Sequence, residues 1–514
     1  MASLLSQLVR YHVLLEMIVV LGIGGTGQYG FLISVLNSPS PYIKKFINET
    51  WVSRYNTPIS HQSLTVIWTS IESIISLGGI CGCLAAGYLS RKYGKKHCLL
   101  WNNLILVGAS LIMGCSKLAG SFEMLLIGRF LGGLYAGFAF TLHSQYVGEI
   151  APKKLRGFTS TTLALFLTFG AFSGQLLGLS EVLGTESLWP LLVSINGITS
   201  LVQLIRIPFF PESPSYLLME KGDRHACLKA MKQLWGEDDI QEEMDDLMKE
   251  QEARRNAQSL SILEILKDRS SRWQLYLSFL MVLTKNICGD YSIYFYSYDI
   301  FYNAGFSPQR IPHINIGIGV CDAVSVLVCA LVADMFVLKT ILLIGYGLMA
   351  TTLALLTVTL SLKDWYPWMA YCSVVLVFMF MFVQGIGPGG VTLPITVANF
   401  TQASRPAAMV FVGMTNLTAL FIIGMTFPLM METLGSFTFL FFVGLIAVSG
   451  TLLYLFLPDT KGLSAMEITE QFARLNFRGH QSVLMRDAQT RSSAQILMLR
   501  DSMQNVLHDA RMST

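Results

Sequence analysis

Four ionisable residues, Glu16, Glu72, Lys285 and Asp322, lie inside long apolar stretches of this sequence. A charged side chain in the middle of a membrane helix is costly unless it is paired or hydrated, so each is a functional candidate. We expect that Lys285 and Asp322 either pair with each other or face a shared hydrated path. Two simpler interpretations stay open: the Lys285 ammonium could extend to the membrane surface, and Glu16 could lie at an interface.

Catalytic and metal-binding patterns have little support. His143 stands alone in its apolar stretch, without the Ser, Cys or Asp spacing of a catalytic triad, so a packed or path-lining histidine is the simpler interpretation. The glycine-rich stretch 21–27 lacks the Lys-Ser/Thr of a phosphate loop and favours close helix packing. The 9 cysteines show no metal-ligand spacing. We therefore predict no enzymatic activity, no metal and no cofactor.

The composition is that of a membrane protein. Of the 514 residues, 53% are hydrophobic and only 13% are charged, and the mean hydropathy is +0.53. The apolar residues form about twelve blocks of the ~20 residues that a helix needs to cross a bilayer. These blocks lack the alternation of barrel strands, so helices are the spanning structure that they fit.

The blocks form two groups of six on either side of a charged stretch. The predicted spans are 11–36, 64–89, 98–115, 122–148, 158–179 and 188–208, then 274–301, 311–335, 340–360, 367–397, 405–430 and 436–457. We predict an all-α polytopic protein with four parts. These are a first half at 1–210, a linker with short amphipathic helices at 211–272, a second half at 273–460 and a largely disordered tail at 461–514.

Positive charge predicts the orientation of the helices. Lysines and arginines follow the second and fourth segments and recur in the linker and the tail, so both termini are predicted to be cytoplasmic. In the first outward loop, Asn48-Glu49-Thr50 fits an N-glycosylation site, and we predict a glycan on Asn48. The basic residues form no single patch and the net charge is only +3, which gives no support for a nucleic-acid partner.

Related motifs recur in the two halves, as in a duplicated transporter. The first half has Gly87 to Lys96 (GYLSRKYGKK), Glu149 to Gly157 (EIAPKKLRG) and Pro211 to Pro214 (PESP). The second half has Ser404 to Ala408 (SRPAA) and Pro458 to Gly462 (PDTKG).

Together with Gly128-Arg129-Phe130 and Gly385-Ile-Gly387-Pro388, these motifs resemble the facilitative glucose transporters of the major facilitator superfamily, over nearly the whole chain up to Phe477. The stretches GIGGTGQYG and NETW are most similar to the second class and, within it, to the type-eleven branch. The resemblance implies twelve transmembrane helices in two six-helix halves. It also implies a plasma-membrane carrier that moves a hexose, or a related small polar solute, by alternating access.

The resemblance implies ion pairs at the cytoplasmic helix ends that hold the halves together while that gate is closed. An exposed pair contributes about 0–1 kcal/mol, so a network is needed to favour one state. Topogenic charge without gating is the simpler alternative. Tyr294 is placed at an outer gate because it follows Gly289, where a helix can bend, although an interfacial aromatic belt also fits. The other gate candidates are Arg91, Arg129, Glu149, Arg156, Glu212, Asp334, Arg405 and Asp459.

The resemblance also implies solute-binding positions around a central cavity, where sugar hydroxyls need groups that both donate and accept hydrogen bonds. The family's double glutamine in helix 7 is Lys285-Asn286 here, its following asparagine is Tyr291, and its helix 8 asparagine is Asp322. The candidate solute-binding residues are Gln175, Lys285, Asn286, Tyr291, Asp322 and Asn416.

Three hypotheses stay open on these residues. The first is facilitated diffusion of a hexose such as glucose or fructose. The second is a proton-coupled or charged-solute carrier, which Asp322, Glu16 and Lys285 motivate. The third is a receptor that kept the fold, lost transport and binds partners through residues 478–514. The expected partners in the first two cases are a small solute and the lipid bilayer.

Overall fold

The computed structural model describes residues 11–152, 156–236, 262–332, 336–400, 404–458 and 465–476, and within 240–251 all but 242, 246, 249 and 250. These described residues are mostly helical and include no strand. The structure therefore contains the all-α architecture that the apolar blocks predict.

In the described residues, twelve long helices form the bundle, and each falls on one predicted segment. In the first half they are α1 (His12–Ser34), α2 (His61–Tyr93), α3 (Lys95–Cys115), α4 (Glu123–Ile150), α5 (Arg156–Leu177) and α6 (Trp189–Phe209). In the second half they are α7 (Arg272–Lys285, Asn286–Asp290 and Tyr291–Asn303), α8 (Ile311–Val332), α9 (Leu338–Leu362), α10 (Met369–Asn399), α11 (Arg405–Leu434) and α12 (Thr438–Phe456). The prediction of twelve helices in two six-helix halves is confirmed.

Hydropathy supports a membrane location for these helices. Among the described residues, nine helical stretches are long and apolar enough to cross a bilayer, and one of them, Ala407–Phe456, covers most of α11 and all of α12. In α5 the apolar part is the shorter helix Thr162–Leu177. The remaining helix, α7, is interrupted by the polar turn Asn286–Asp290.

Three helices are interrupted by a wide π turn at mid-length. The turns are Gly22–Thr26 in α1, Asn286–Asp290 in α7 and Gly385–Gly389 in α10. In α7, Gly289 adopts φ +115°, a conformation that glycine tolerates best. In α10, Pro388 removes a backbone donor inside the turn. Such turns occur mostly at functional sites, and interrupted helices line the binding sites of many transporters.

Glycines allow the helices of the first half to pack closely. A Cβ on Gly137 of α4 would lie 2.1 Å from the Gly79 carbonyl oxygen of α2, and a Cβ on Gly170 of α5 would lie 1.8 Å from the Gly27 oxygen of α1. In the glycine-rich stretch of α1, a Cβ on Gly22 would lie 2.2 Å from the Phe166 ring of α5. This is the close packing that the sequence predicts for 21–27.

The linker and the first tail helix lie at the same end of the bundle, which we call the linker end. The linker helix Arg224–Trp235 packs on the first half, where the Trp235 indole N–H donates to the Ile150 carbonyl at 2.9 Å. Another helix, Ala465–Asn476, follows α12, and the Asn476 side-chain oxygen accepts the Trp273 backbone N–H at 3.1 Å, at the start of α7. Six helices, α7 to α12, lie between the linker and the tail helix, and an even number of membrane crossings places both at the same end.

The opposite end, which we call the far end, has a helix where the sequence predicts a loop. Ser40–Tyr55 follows α1 and is tethered by Lys45, whose ammonium lies 2.6 Å from Glu186 in the connection between α5 and α6. The hydrogen bond to Lys45 holds the pKa of Glu186 below its ordinary value. Asn48 is exposed on this helix. Its glycosylation stays a prediction.

Candidate functional site: a polar centre between the halves

Three hydrogen bonds join the interrupted middle of α7 to three neighbouring helices. The Asn286 amide donates to the Asn416 oxygen of α11 at 3.1 Å. The Gln384 amide of α10 donates to the Asp290 carboxylate at 2.8 Å. The Tyr294 hydroxyl donates to the Asp322 carboxylate of α8 at 2.7 Å. We call these six residues the central cluster.

Four residues of the central cluster are buried and two, Asp322 and Asn416, are partly buried, and the cluster retains hydrogen-bonding capacity. Asn286 is fully buried, and its side-chain oxygen has no hydrogen-bond partner among the described residues. The same holds for the side-chain oxygen of Gln175 on α5. A Cβ on Gly319 of α8 would lie 2.3 Å from this Gln175 oxygen, so the glutamine of the first half lies directly against the second half. Buried acceptors without a donor suit a hydroxylated solute.

Four of the six predicted solute-binding residues lie in this cluster or contact it, and a fifth lies against a helix of the cluster. Asn286, Asp322 and Asn416 belong to it, and the Tyr291 hydroxyl faces Asn416. Gln175 approaches α8 from the first half. The structure thus brings together residues that are far apart in the sequence, such as Asn286 and Asn416.

Lys285, the sixth predicted residue, is half-buried one position before the π turn. In the described part of the chain it forms no ion pair within 4.0 Å, so the expected direct pair with Asp322 is not formed. Tyr294 occupies the hydrogen-bonding position on Asp322 instead. Lys285 still acts electrostatically on both Asp290 and Asp322. The alternative in which both charges face a shared path stays a prediction.

The far end of the seam between the halves is closed by polar contacts. Asn37, after α1, donates to the Tyr294 carbonyl at 2.7 Å and to the Ser297 hydroxyl at 2.5 Å, and it accepts the Tyr298 backbone N–H at 3.0 Å. The Lys44 ammonium lies 3.0 Å from the Asp299 carboxylate of α7. These contacts join the first half to the segment of α7 that carries Tyr294, the predicted outer-gate residue.

At the linker end, two predicted gate acids bind within the first half. Glu149 lies 2.5 Å from the Lys95 ammonium and also accepts the Ser213 hydroxyl. Glu212 accepts the backbone N–H groups of Lys95 and Lys96, at 3.2 Å and 3.3 Å, at the N-terminus of α3, where a carboxylate is favoured. Gly94 permits this approach, because its φ is +86° and a Cβ there would lie 2.5 Å from Glu212.

The other gate candidates are placed differently. Arg91 is exposed at the end of α2. Arg129 is buried near the far end, 3.3 Å from Glu72, and donates to the Ile71 carbonyl at 3.2 Å. It therefore lies apart from the acids at the linker end. Arg156 and Arg405 are the first residues of α5 and α11, where the structure describes the backbone, and Asp334 and Asp459 lie outside the described residues.

Glu16 and His143 lie outside these groups, in the positions that the simpler interpretations of the sequence predict. Glu16 pairs with Arg206 of α6, and both side chains are partly exposed toward the linker end. His143 is buried, with its Nδ1 3.1 Å from the Thr26 hydroxyl oxygen in the π turn of α1.

Sequence reasoning missed three residues of this arrangement. Asp290 is an acid inside an apolar block, so the rule that selected Lys285 and Asp322 also selects it. Gln384 precedes the π turn of α10, and its pairing with Asp290 depends on the path of that turn. Lys95 is one of several adjacent lysines, and burial alone distinguishes it.

Two six-helix halves, interrupted helices at mid-depth and a polar centre in the second half that Gln175 of the first half approaches define a membrane carrier of the alternating-access type. Residues 17–472 match the family model described as "Sugar (and other) transporter". The chain therefore belongs to that family, and the resemblance to the facilitative glucose transporters is confirmed.

Named relatives share most of the chain. It is 38% identical over 453 residues to facilitated glucose transporter member 9 of solute carrier family 2 from Mus musculus, which spans 88% of this chain and 84% of the relative. It is 36% identical over 473 residues to member 11 from Homo sapiens, with coverage of 92% and 95%. Human member 5 is 33% identical over 453 residues, with coverage of 88% and 90%.

Solved structures share the fold. The inward-open xylose transporter XylE from E. coli superimposes with a TM-score of 0.72 at 16% identity, covering 89% of this chain and 99% of that one. XylE with bound 6-bromo-6-deoxy-D-glucose, a proton:xylose symporter of the major facilitator superfamily, superimposes with a TM-score of 0.70 at 16% identity, covering 90% and 99%. This chain therefore has the major facilitator fold.

Proposed function

We propose that this chain carries hexoses, or closely related polar solutes, across the membrane by facilitated diffusion. The observation that carries the proposal is the pair of open hydrogen-bonding oxygens on Gln175 and Asn286, one from each half. Asn286 contacts Asn416, and the Gln175 oxygen lies against Gly319 of α8. Sugar hydroxyls donate to and accept from such groups. The printed names of the relatives, facilitated glucose transporters, support the same solute class.

We assign solute binding to Gln175, Lys285, Asn286, Tyr291, Asp322 and Asn416. The two halves rock about this site, and each motion exposes it to one side of the membrane. The ties of Asn37 and Lys44 hold the far end closed. We propose that seven residues act at the linker end: Arg91, Glu149, Arg156, Glu212, Asp334, Arg405 and Asp459. The assigned role of Arg129 is to support the gate through the packing of α2 and α4.

The test is uptake of labelled glucose and fructose by the purified full chain in proteoliposomes. The variants Gln175→Leu and Asn416→Leu each remove hydrogen bonds worth about 1 kcal/mol, so each is expected to raise KM about five- to tenfold. Gln62→Leu, an exposed glutamine at the start of α2, is the matched control and should leave KM unchanged. Absence of hexose uptake by a well-folded wild-type chain would overturn the proposal and favour the receptor hypothesis.

The proposal also includes location. A plasma-membrane carrier with both termini in the cytoplasm would place the linker end inside the cell and Asn48 outside. The four-part division at 1–210, 211–272, 273–460 and 461–514 stays part of the proposal, and residues 477–514 lie outside the described residues.

A further inference from the structure

A second cavity, of about 380 Å³, lies between the halves at the far end. Its walls come from the helix Ser40–Tyr55 and α2 of the first half and from α7 and α11 of the second. Ligand pockets usually measure about 300–1,000 Å³, so this volume suits a small molecule. None of the six residues of the central cluster lines it. We call it the far-end cavity; the lining residues that matter below are Lys44, His61, Thr65, Trp68, Asp299, Tyr302 and Glu432.

The charged groups on the walls of the far-end cavity pair with each other across the seam. The Lys44 ammonium lies 3.0 Å from the Asp299 carboxylate. The Glu432 carboxylate accepts the Thr65 hydroxyl at 2.8 Å and lies 3.5 Å from the His61 imidazole. Each acid of the second half therefore already has a partner from the first half, and the cavity does not require a charged ligand.

Hydrogen-bonding capacity remains on the same walls. Trp68 is 2% exposed, and its indole N–H has no acceptor among the described residues, which is costly for a buried donor. Both contacts of Glu432 with α2 use its Oε1 atom, which leaves Oε2 to accept another hydrogen bond. The Tyr302 side chain is exposed on the opposite helix. Donors, acceptors and a hydroxyl around one space suit a neutral, hydroxylated ligand.

The second half supplies a fixed aromatic wall. Pro428 of α11 has no N–H, so the Gly424 carbonyl oxygen is left to accept the Tyr296 hydroxyl, at 2.6 Å. The Tyr296 ring stacks on Phe427, with 5.6 Å between the ring centroids. Aromatic walls with a few placed polar groups are typical of small-molecule sites. A sugar ring matches both, because it has apolar C–H faces and a rim of hydroxyl groups.

We propose that the far-end cavity is a second hexose site, filled while the halves are closed at that end. The His61 imidazole is 80% exposed, so a sugar reaches the cavity from the solution at the far end. Because the walls come from both halves, a bound sugar contacts both and favours the closed arrangement over the open one. The choice of a hexose as the ligand rests on the proposed function.

The experiment is photolabelling of the purified full chain with a glucose derivative that carries a diazirine. The labelled peptides are then identified by mass spectrometry. We expect labels within 61–68 and 427–432, in addition to labels around Asn286 and Asn416, and excess glucose should suppress both sets. Labels at the far end that are absent, or that excess glucose leaves unchanged, would overturn the inference.

Two conservative variants test the assigned contacts. Glu432→Gln removes a charged acceptor and should weaken far-end labelling about tenfold. Trp68→Phe keeps an aromatic ring, removes the N–H and should weaken it about fivefold. Size-exclusion chromatography checks the folding of each variant.

Glu181→Gln is the matched control. Glu181 also faces a histidine across the seam, His313 at 3.4 Å, but it does not line the far-end cavity. Its substitution should leave the labelling unchanged. Equal losses in the Glu432 and Glu181 variants would mean that labelling follows closure of the seam and not contact with the sugar, which also contradicts the proposal.

The two hexose sites are separated by their responses. Gln175→Leu should raise the KM of uptake and leave far-end labelling intact. Hexose uptake that persists without far-end labelling would overturn only this inference. A well-folded chain that takes up no hexose would count against the proposed function itself.

Discussion

At the scale of single residues, the ion pair of Arg129 and Glu72 is the most completely enclosed charge pair that the structure describes. Both side chains are about 1% exposed, and the guanidinium also donates to the carbonyls of Leu32 and Ile71. One arginine thus connects α1, α2 and α4 inside the first half. Among the described residues it has no contact with the acids at the linker end, and its part in gating stays a prediction.

Arg129→Met is therefore expected to destabilise the protein strongly, because it leaves Glu72 buried without its cation. A loss of about 3–5 kcal/mol of unfolding free energy is the usual result of breaking a buried pair. Thermal unfolding in detergent measures it. The matched control is Arg310→Met. Arg310 is exposed at the far end, so this substitution should change the free energy of unfolding by less than about 0.5 kcal/mol.

A second variant tests the mechanism of this loss. Adding Glu72→Leu to Arg129→Met removes the orphaned acid, and most of the lost stability should return. A double variant as unstable as the single one would mean that packing, and not the unpaired carboxylate, dominates.

How far single residues could be predicted depends on what identifies them. An acid within an apolar block is visible in the sequence, which is why Asp322 was found and Asp290 could have been. The partner of each acid is not visible, because Gln384 and Tyr294 reach them only through the course of two interrupted helices. The motif predicts a gate role for Arg129 but not its depth, and its position six residues inside α4 places it near the far end.

At the scale of elements, the helices follow directly from hydropathy, since a bilayer leaves an apolar block of ~20 residues no other spanning structure. The π turns follow less directly. The bend near Gly289 was expected, but the turns of α1 and α10 depend on packing between neighbours. The helix Ser40–Tyr55 was missed, because its polar, weakly periodic sequence resembles a loop and its stability comes from tertiary contacts such as Lys45 with Glu186.

The packing of α2 on α4 gives a prediction at this scale. Gly137→Ala places a methyl group 2.1 Å from the Gly79 carbonyl oxygen, so the two helices must separate, at a cost of about 1–3 kcal/mol. Thermal unfolding again provides the measurement.

The control substitution for this prediction is expected to change stability in the opposite direction. Gly148 lies on the same helix with nothing within 4 Å of an added Cβ, so Gly148→Ala should be neutral or stabilising by up to about 1 kcal/mol. Equal effects of the two substitutions would show that helix propensity, and not close approach, governs these glycines.

At the scale of the whole molecule, the polar ties between the halves made by Asn37 and Lys44 lie at the far end of the seam. Asn37 makes three hydrogen bonds to α7, and Lys44 pairs with Asp299. The Lys44 pair is partly exposed and contributes no more than about 1 kcal/mol, so the buried Asn37 is the stronger contact. The two-half architecture was predictable, but which end is closed was not, because both ends carry polar residues.

Asn37→Ala should shift the halves toward a state that is open at the far end. Loss of its hydrogen bonds removes about 1–3 kcal/mol from the closed state, which raises the open population at least about fivefold. The measure is the labelling rate of a single cysteine, Leu64→Cys, in a cysteine-free background, since Leu64 lines the far-end cavity between the halves. Asn303→Ala alters an exposed asparagine of the same cavity and should leave the rate unchanged.

The two helices at the linker end offer a way to follow this motion directly. The linker helix Arg224–Trp235 is anchored to Ile150 of the first half, whereas Ala465–Asn476 is anchored to Trp273 of the second. Each is held by a hydrogen bond to its own half at the linker end, away from the central cluster. A donor and acceptor fluorophore on this pair would therefore turn each rocking cycle into a change of energy transfer, readable from one molecule at a time.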